Sequence, residues 1–305
     1  MRILDDTSNL DQLWKISQPL RSTRPAWSGM MQSVQLENHP GRSSVLFLPM
    51  INMNPSDSTC IYSTLKFVCA QAKKYKFTPI ITFDQPLWWK AMTIIQQKQT
   101  DSDLKSKVLR LGGLHMQMSF LGSIGHLMAG SGLQELLETI YAENAVLHIL
   151  NGKAISRAIR AHFLVDAALT SILMSQTFNI SCLPLEQGTR DEAMEPREDQ
   201  VIDDDLEEAG RLYDTLVSDP SKIEEVHTSE ALSRIIQKIM ATMDSLKNQR
   251  TAALWLQYMR VVDILRKFIK AERTRQWSLH LQAVYDMLPY LAASGHNLYL
   301  KSAYA

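Results

Sequence analysis

The chain has 305 residues and carries as many basic as acidic side chains, 32 Lys plus Arg against 32 Asp plus Glu. Balanced charge gives no overall field that attracts nucleic acid or acidic lipid, so nucleic-acid binding would need a local basic patch; the largest cluster is Lys73, Lys74 and Lys76. No run reaches the roughly 18 apolar residues of a membrane helix, and the acidic start MRILDDTSNL is unlike a secretion signal. We therefore expect an intracellular protein, nuclear or cytoplasmic, that does not enter a membrane.

The N-terminal region shows no regular element to sequence inspection. Residues 1–43 contain Pro19, Pro25 and Pro40, which interrupt any long helix or strand. We predict an irregular segment here that lies against the surface of the part that follows.

Residues 44–130 alternate between short apolar runs and helical patterns. Buried strands are predicted at Ser44–Ile51, Phe77–Phe83 and Lys107–Leu111, and each run is followed by apolar residues at helical spacing. Connections of this length allow right-handed crossovers, which favours parallel pairing of the strands. The predicted fold class is therefore α/β, with three visible strands of a parallel sheet in residues 44–130.

The rest of the chain is predicted to be mostly helical. Residues 131–185 and 209–305 repeat apolar residues at helical spacing. Residues 186–208 contain eleven acids and few large apolar residues, which is typical of a solvated acidic loop. Gly122 and Gly125 lie three apart in a predicted helix, a spacing that indicates close packing against a neighbouring helix.

Two residues follow the ends of neighbouring predicted strands. Asp84 comes directly after Phe83, and His115 follows Leu111 after two glycines. Ligand sites of open α/β sheets form beyond the carboxyl ends of the strands, and an acid there can hold a divalent cation or act as a general base. Two simpler interpretations stay open: Asp84 caps the helix that begins near Pro86, and His115 is a structural histidine at a helix start.

Several long motifs are present: RPAWSGMM, ITFDQPLWWKA, LRLGGLHMQMSFLGSIGHLMAGSGL, NGKAISRAIRAHFLVDAAL and HLQAVYDMLPYLAASGHNLYLKSA. These motifs resemble a family of uncharacterised, transposon-associated animal proteins that are similar to RNase H-like (DDE-type) transposases. The likeness covers about Arg24 to Ala303.

The resemblance implies a specific site. Such transposases cut DNA with acids that hold two Mg²⁺ ions; Asp84 matches the second acid, as catalytic residue and metal ligand, and His115 matches a histidine after the next strand. The first acid has no counterpart, and the third would be Glu272, Glu135 or Glu138 on a later helix. The resemblance also implies an RNase H-like sheet core whose first strands are missing, in a truncated copy.

The function expected from these features is that of a transposon-derived, transposase-related protein without catalytic activity that retains binding to DNA or to a partner, including a second copy of the chain. No cofactor is expected in that case. One alternative is a helical protein-interaction module in which the α/β part is scaffold. A second alternative is an active nuclease, whose cofactor would be Mg²⁺.

Overall fold

The computed structural model of the chain describes residues 2–20, 25–34, 44–48, 50–97, 104, 107–180 and 203–304. The fold is mostly helical, with a small parallel sheet of two strands, so the predicted large helical part is confirmed. The elements in chain order are α1 (Arg2–Ser17), α2 (Trp27–Val34), α3 (Ser58–Lys74), β1 (Ile80–Phe83), α4 (Gln85–Gln97), β2 (Val108–Leu111), α5 (Gly113–Leu127), α6 (Leu133–Glu138), α7 (Glu143–Leu150), α8 (Ile155–Phe178), α9 (Asp204–Ser218), α10 (Ile223–Thr228), α11 (Glu230–Leu246), α12 (Arg250–Thr274), α13 (Trp277–Ala293) and α14 (Asn297–Tyr304).

The chain divides into two compact units that do not follow the predicted domain boundaries. The first unit joins residues 1–40 to residues 160–263, and the second joins residues 41–159 to residues 264–305. The predicted N-terminal segment therefore belongs with helices from the middle of the chain, and the predicted α/β part shares its unit with the last helices. Contacts between residues far apart in sequence decide this division.

The first unit corrects the prediction that residues 1–43 are irregular, since α1 and α2 are helices. Leu10, Leu13 and Trp14 recur at helical spacing along α1 and are all buried. The indole of Trp27 in α2 donates a hydrogen bond of 2.7 Å to the Asp11 carboxylate, which fixes α2 against α1. The three prolines fall outside α1 and α2, so they do not interrupt either helix.

The prediction of a solvated acidic loop at residues 186–208 is also partly corrected. Of the predicted loop 186–208, residues up to 202 lie outside the described residues, whereas Asp204 begins α9. Asp203 caps this helix by accepting a hydrogen bond of 3.0 Å from the Asp205 amide. Acids in a first helical turn are favourable because they face the positive end of the helix dipole, so this part of the run begins a helix.

Helix α8 has the length and mean hydropathy of a candidate membrane span, although 44% of its most apolar window is buried inside the protein. The helix also carries Asp166, which is fully buried and lies 3.2 Å from the Lys15 ammonium. The core helix of a globular unit can have the same length and composition.

The second unit contains the sheet, and its strands pair as predicted. β1 and β2 are parallel, with Ile80 opposite Val108 and Phe83 opposite Leu111. Ile61 and Leu65 of α3 and Ile81 of β1 belong to one buried apolar cluster that also includes residues of α4.

The prediction of a strand at Ser44–Ile51 is wrong. Its described residues 44–48, 50 and 51 form no strand, and Leu46 and Phe47 are 84% and 90% exposed. An apolar run forms a strand only where a neighbouring strand accepts its backbone hydrogen bonds, and no described residue pairs with this run.

Candidate functional site

The carboxyl ends of β1 and β2 bring the predicted site residues to one edge of the sheet. Phe83 and Leu111 are opposite each other, and the Gly112 amide donates a hydrogen bond of 2.7 Å to the Phe83 carbonyl. Asp84 follows the end of β1, and His115 lies in the first turn of α5. The parallel geometry that the sequence interpretation required is therefore present.

Asp84 acts as the cap of α4. Its carboxylate accepts a hydrogen bond of 3.3 Å from the Leu87 amide, and its carbonyl accepts one of 2.9 Å from the Trp88 amide. The side chain is exposed. Burial raises the pKa of Tyr299 in α14, and the negative charge of Asp84 raises it further. The geometry accounts for Asp84 through capping, and its catalytic role stays a prediction.

His115 is exposed on the surface of α5. Within the described part of the chain, no hydrogen bond or ion pair joins its side chain to Asp84. The two residues share an edge of the sheet without forming a coupled pair, so the role of His115 also stays a prediction.

Glu272, the first candidate for a third acid, contacts an arginine and a histidine. It forms an ion pair with Arg110 of β2, and its Oε1 lies 2.8 Å from Nδ1 of His280 in α13. Burial raises the pKa of the Glu272 carboxyl, but the close approach of His280 and Arg110 outweighs this effect and holds the pKa below its usual value. Glu272 is therefore a stable carboxylate bound to an arginine.

The other two candidates lie on α6, where Glu135 and Glu138 are exposed and Glu138 accepts a hydrogen bond of 2.9 Å from Gln134. Across the described ranges, no group of three or more His, Cys, Asp or Glu side chains is placed to hold a metal ion. Among these residues, Asp84 and the three glutamates do not assemble the donor set of a two-metal centre.

Sequence reasoning missed two members of the Glu272 cluster. Arg110 lies within the predicted strand Lys107–Leu111, and no sequence pattern marks His280. The available signal was the arginine itself, because a guanidinium inside a four-residue apolar strand needs a buried or half-buried anion as its partner. The sequence does not show which residue is that partner, since Glu272 lies 162 residues further along the chain.

A second feature of this unit is a basic–aromatic strip formed by residues 73–77, at the end of α3 that precedes β1. It consists of Lys73, Lys74, Tyr75, Lys76 and Phe77, all of them exposed. The rings of Tyr75 and Phe77 are 70% and 75% exposed. The lysine cluster noted in the sequence therefore occurs together with two aromatic side chains that face solvent.

Backbone hydrogen bonds fix the shape of this strip. The amides of Tyr75 and Phe77 both donate to the Ala72 carbonyl at 3.1 Å, and the Lys76 amide donates to the Lys73 carbonyl at 3.2 Å. Lys76 has a φ of 56°, in the left-handed region that often ends a helix. The lysines and rings are thus presented by an ordered helix terminus.

These observations define a mostly helical protein with a two-stranded parallel sheet, a capped acid at the sheet edge and an exposed basic–aromatic strip. The chain belongs to the family described as a domain of unknown function (DUF8702), which matches residues 26–305. No curated protein and no solved structure matches the chain.

Proposed function

We propose that this chain is a transposase-derived protein that binds single-stranded nucleic acid without cutting it. The observation that carries the proposal is the basic–aromatic strip, which places three lysines and two exposed rings within five residues. Lysines neutralise phosphates, and an exposed ring stacks on a base with a contribution of about 1–3 kcal/mol. Such a role would place the protein inside the cell, in the nucleus or the cytoplasm.

Helix ends often carry lysines because cations are favourable beside the negative end of the helix dipole. That effect explains Lys73 and Lys74, which lie in the last turn of α3. It does not explain why the rings of Tyr75 and Phe77 both face solvent beside them. Cations interleaved with exposed aromatic rings are typical of surfaces that bind single strands.

The sheet edge supports the transposase origin. Asp84 directly follows β1 and His115 follows β2, and these strands are parallel neighbours, which is the arrangement that the resemblance implies. The engagement of Glu272 by Arg110 supports the absence of cleavage. Two-metal cleavage needs several acids around the ions, and the described residues bring no such group together.

Binding can be measured by the fluorescence anisotropy of a labelled oligothymidylate at several salt concentrations. Three lysines that contact phosphates predict a slope of log K against log salt of about −2, from about 0.7 per contact for single strands. The triple variant Lys73→Gln, Lys74→Gln, Lys76→Gln should lose this slope together with most of the affinity. Replacement of Tyr75 and Phe77 by Ser should weaken binding but leave the slope unchanged.

The matched control removes three other exposed cations, by changing Lys153, Arg157 and Arg160 to Gln. The proposal expects this variant to bind like the wild type. If the control loses binding while the strip variant keeps it, the strip is not the nucleic-acid site. Absence of measurable binding by the wild type would also overturn the proposal.

Cleavage is tested separately with supercoiled plasmid and Mn²⁺, comparing the wild type with Asp84→Asn. Asparagine also caps helices well, so this change removes the charge of Asp84 and leaves α4 intact. We expect no nicking by either protein. Nicking by the wild type that disappears in Asp84→Asn would establish the metal-dependent nuclease instead.

A second candidate function is association through an apolar run in the second unit. Val45, Leu46 and Phe47 are 73%, 84% and 90% exposed, and large exposed apolar runs often mark protein contacts. The double variant Leu46→Ser, Phe47→Ser should lower the mass measured by light scattering if the run joins two copies. An unchanged mass that corresponds to a monomer in both proteins would exclude this self-association.

A further inference from the structure

A cavity of about 500 Å³ lies within the second unit. Residues of α4, β2, α5, α13 and α14 form most of its wall, and none of its described lining residues belongs to the basic–aromatic strip. This volume is within the range of small-molecule sites, about 300–1,000 Å³. The proposed nucleic-acid binding does not involve this cavity.

Most of the described residues that line the cavity are apolar. Leu109, Leu111 and Val284 contribute aliphatic surface, and Met92 and Met116 contribute thioether side chains. Methionine is unbranched and flexible, so it adapts to the shape of a group that it contacts. A wall of this composition favours a ligand whose surface is largely apolar.

The charge that Arg110 brings to the wall is balanced within the protein. Its guanidinium forms an ion pair with Glu272, whose Oε1 also lies 2.8 Å from Nδ1 of His280. Burial raises the pKa of the Glu272 carboxyl, but His280 and Arg110 outweigh this effect and keep it ionised near neutral pH. The carboxylate lies beside the lining residue Gly113, since a Cβ added there would be 3.0 Å from Oε2 of Glu272. The arginine and the glutamate therefore cancel each other next to the cavity.

Two other polar side chains of the wall are also engaged. Lys107 interacts with another group of the protein, so it is not a free cation. The Ser302 hydroxyl donates a hydrogen bond of 2.9 Å to the Leu298 carbonyl and accepts one of 3.2 Å from the Gln85 side-chain amide. An ion that entered this space would lose its hydration without gaining an unpaired opposite charge, which is a large cost.

We propose that this cavity binds a neutral, largely apolar small molecule. The apolar wall favours the burial of such a ligand, and the engaged polar groups do not compensate an ion for its lost hydration. The site goes beyond the proposed nucleic-acid binding and does not depend on it, so failure of either proposal leaves the other intact.

Three probes that share one naphthalene ring test the selection of charge. They are the neutral 2-acetylnaphthalene, the anionic 2-naphthoate and the cationic 2-naphthylmethylammonium, each measured by equilibrium dialysis against the full chain near neutral pH. The neutral ketone should bind at least about tenfold tighter than either ion, because each ion loses hydration in the cavity. An ion that binds as tightly as the ketone would overturn the proposal, and so would absence of ketone binding up to its limit of solubility.

A pair of matched variants locates the binding. Leu281→Trp enlarges a lining side chain that is 50% exposed, whereas Leu298→Trp makes the same change at a 65% exposed position of α14 that does not line the cavity. Because both positions are at least half-exposed, the two variants should fold, which circular dichroism verifies. We expect Leu281→Trp to weaken binding of the ketone about tenfold and Leu298→Trp to match the wild type. Equal affinities of the two variants would show that the ketone binds elsewhere and would refute the proposal.

The basic–aromatic strip needs its own control, because the exposed rings of Tyr75 and Phe77 could also stack on a naphthalene. The double variant Tyr75→Ser, Phe77→Ser should bind the ketone like the wild type. Loss of ketone binding in this variant would assign the probe to the strip and contradict the cavity site. Oligothymidylate binding should be unchanged in Leu281→Trp, which separates the two proposals.

Discussion

Replacement of Gly125 by Ala tests a close contact between two helices of the second unit. A Cβ added at Gly125 in α5 would lie 2.1 Å from the carbonyl oxygen of Leu150, at the end of α7. Ordinary contacts are at about 3.5 Å, so the backbone of one helix would have to move by more than 1 Å. A Cβ added at Gly122, one turn earlier, would meet the nearest atom, the Asn151 carbonyl oxygen, at 3.4 Å.

The gain in helix propensity is the same at Gly125 and Gly122, whereas the steric clash differs. Each Gly→Ala change inside a helix gains about 1 kcal/mol of helix propensity. The clash at Gly125 should cost about 3 kcal/mol, at the upper end for overpacking, because the obstructing atom belongs to the backbone. Gly125→Ala is therefore expected to be destabilised by about 2 kcal/mol, and Gly122→Ala to be neutral or slightly stabilised.

The assay is urea unfolding followed by far-UV circular dichroism, with the midpoints of the two variants compared under the same conditions. The propensity gain cancels in that comparison, which leaves the clash alone as a difference of about 3 kcal/mol. A Gly125→Ala midpoint equal to or above that of Gly122→Ala would refute the close approach of α5 to the end of α7.

Three further predictions concern titration, buried charge and capping. Burial lowers the pKa of His162 from 6.5 to about 4, so the folded state binds fewer protons than the unfolded state between these values. Stability should be complete above pH 6.5 and fall by about 3 kcal/mol towards pH 4, and pH-dependent urea midpoints should flatten in His162→Gln. Lys15→Met removes the ammonium that lies 3.2 Å from the buried carboxylate of Asp166, and should lower the free energy of unfolding by about 3 kcal/mol or more. Lys222→Met removes one side of an exposed ion pair and should barely change the melting temperature. Similar losses of stability in the two variants would contradict the expected difference between a buried and an exposed ion pair. Asp84→Ala should destabilise by about 1 kcal/mol through loss of the cap, whereas Asp84→Asn should not; equal losses in thermal melts would show that the charge, and not the cap, matters.

The candidate site was only partly accessible from sequence. The patterns around Asp84 and His115 correctly placed them at the ends of two neighbouring parallel strands, because strand length and strand–helix alternation are local signals. The partnership of Arg110 with Glu272 and His280 was not accessible, because it joins a strand to two helices far along the chain. The sequence likewise did not predict that the side chains of Tyr75 and Phe77 are exposed, since composition alone predicts that such rings are buried.

The sequence by itself determined the features that depend on local order. Apolar periodicity specified most helices and the parallel pair β1–β2, and the spacing of Gly122 and Gly125 indicated the close helix contact confirmed at Gly125. These features follow from backbone geometry within a few residues, so their signals lie within a few residues.

The tertiary structure alone decided which segments have partners. Residues 2–17 form a helix because Leu13 and Trp14 are buried in their unit, although no motif marked them. Val45–Leu48, apolar enough for a strand, remains irregular and exposed since no described segment pairs with it. Burial and hydrogen-bond pairing depend on residues distant along the chain, and a local pattern carries no information about those residues.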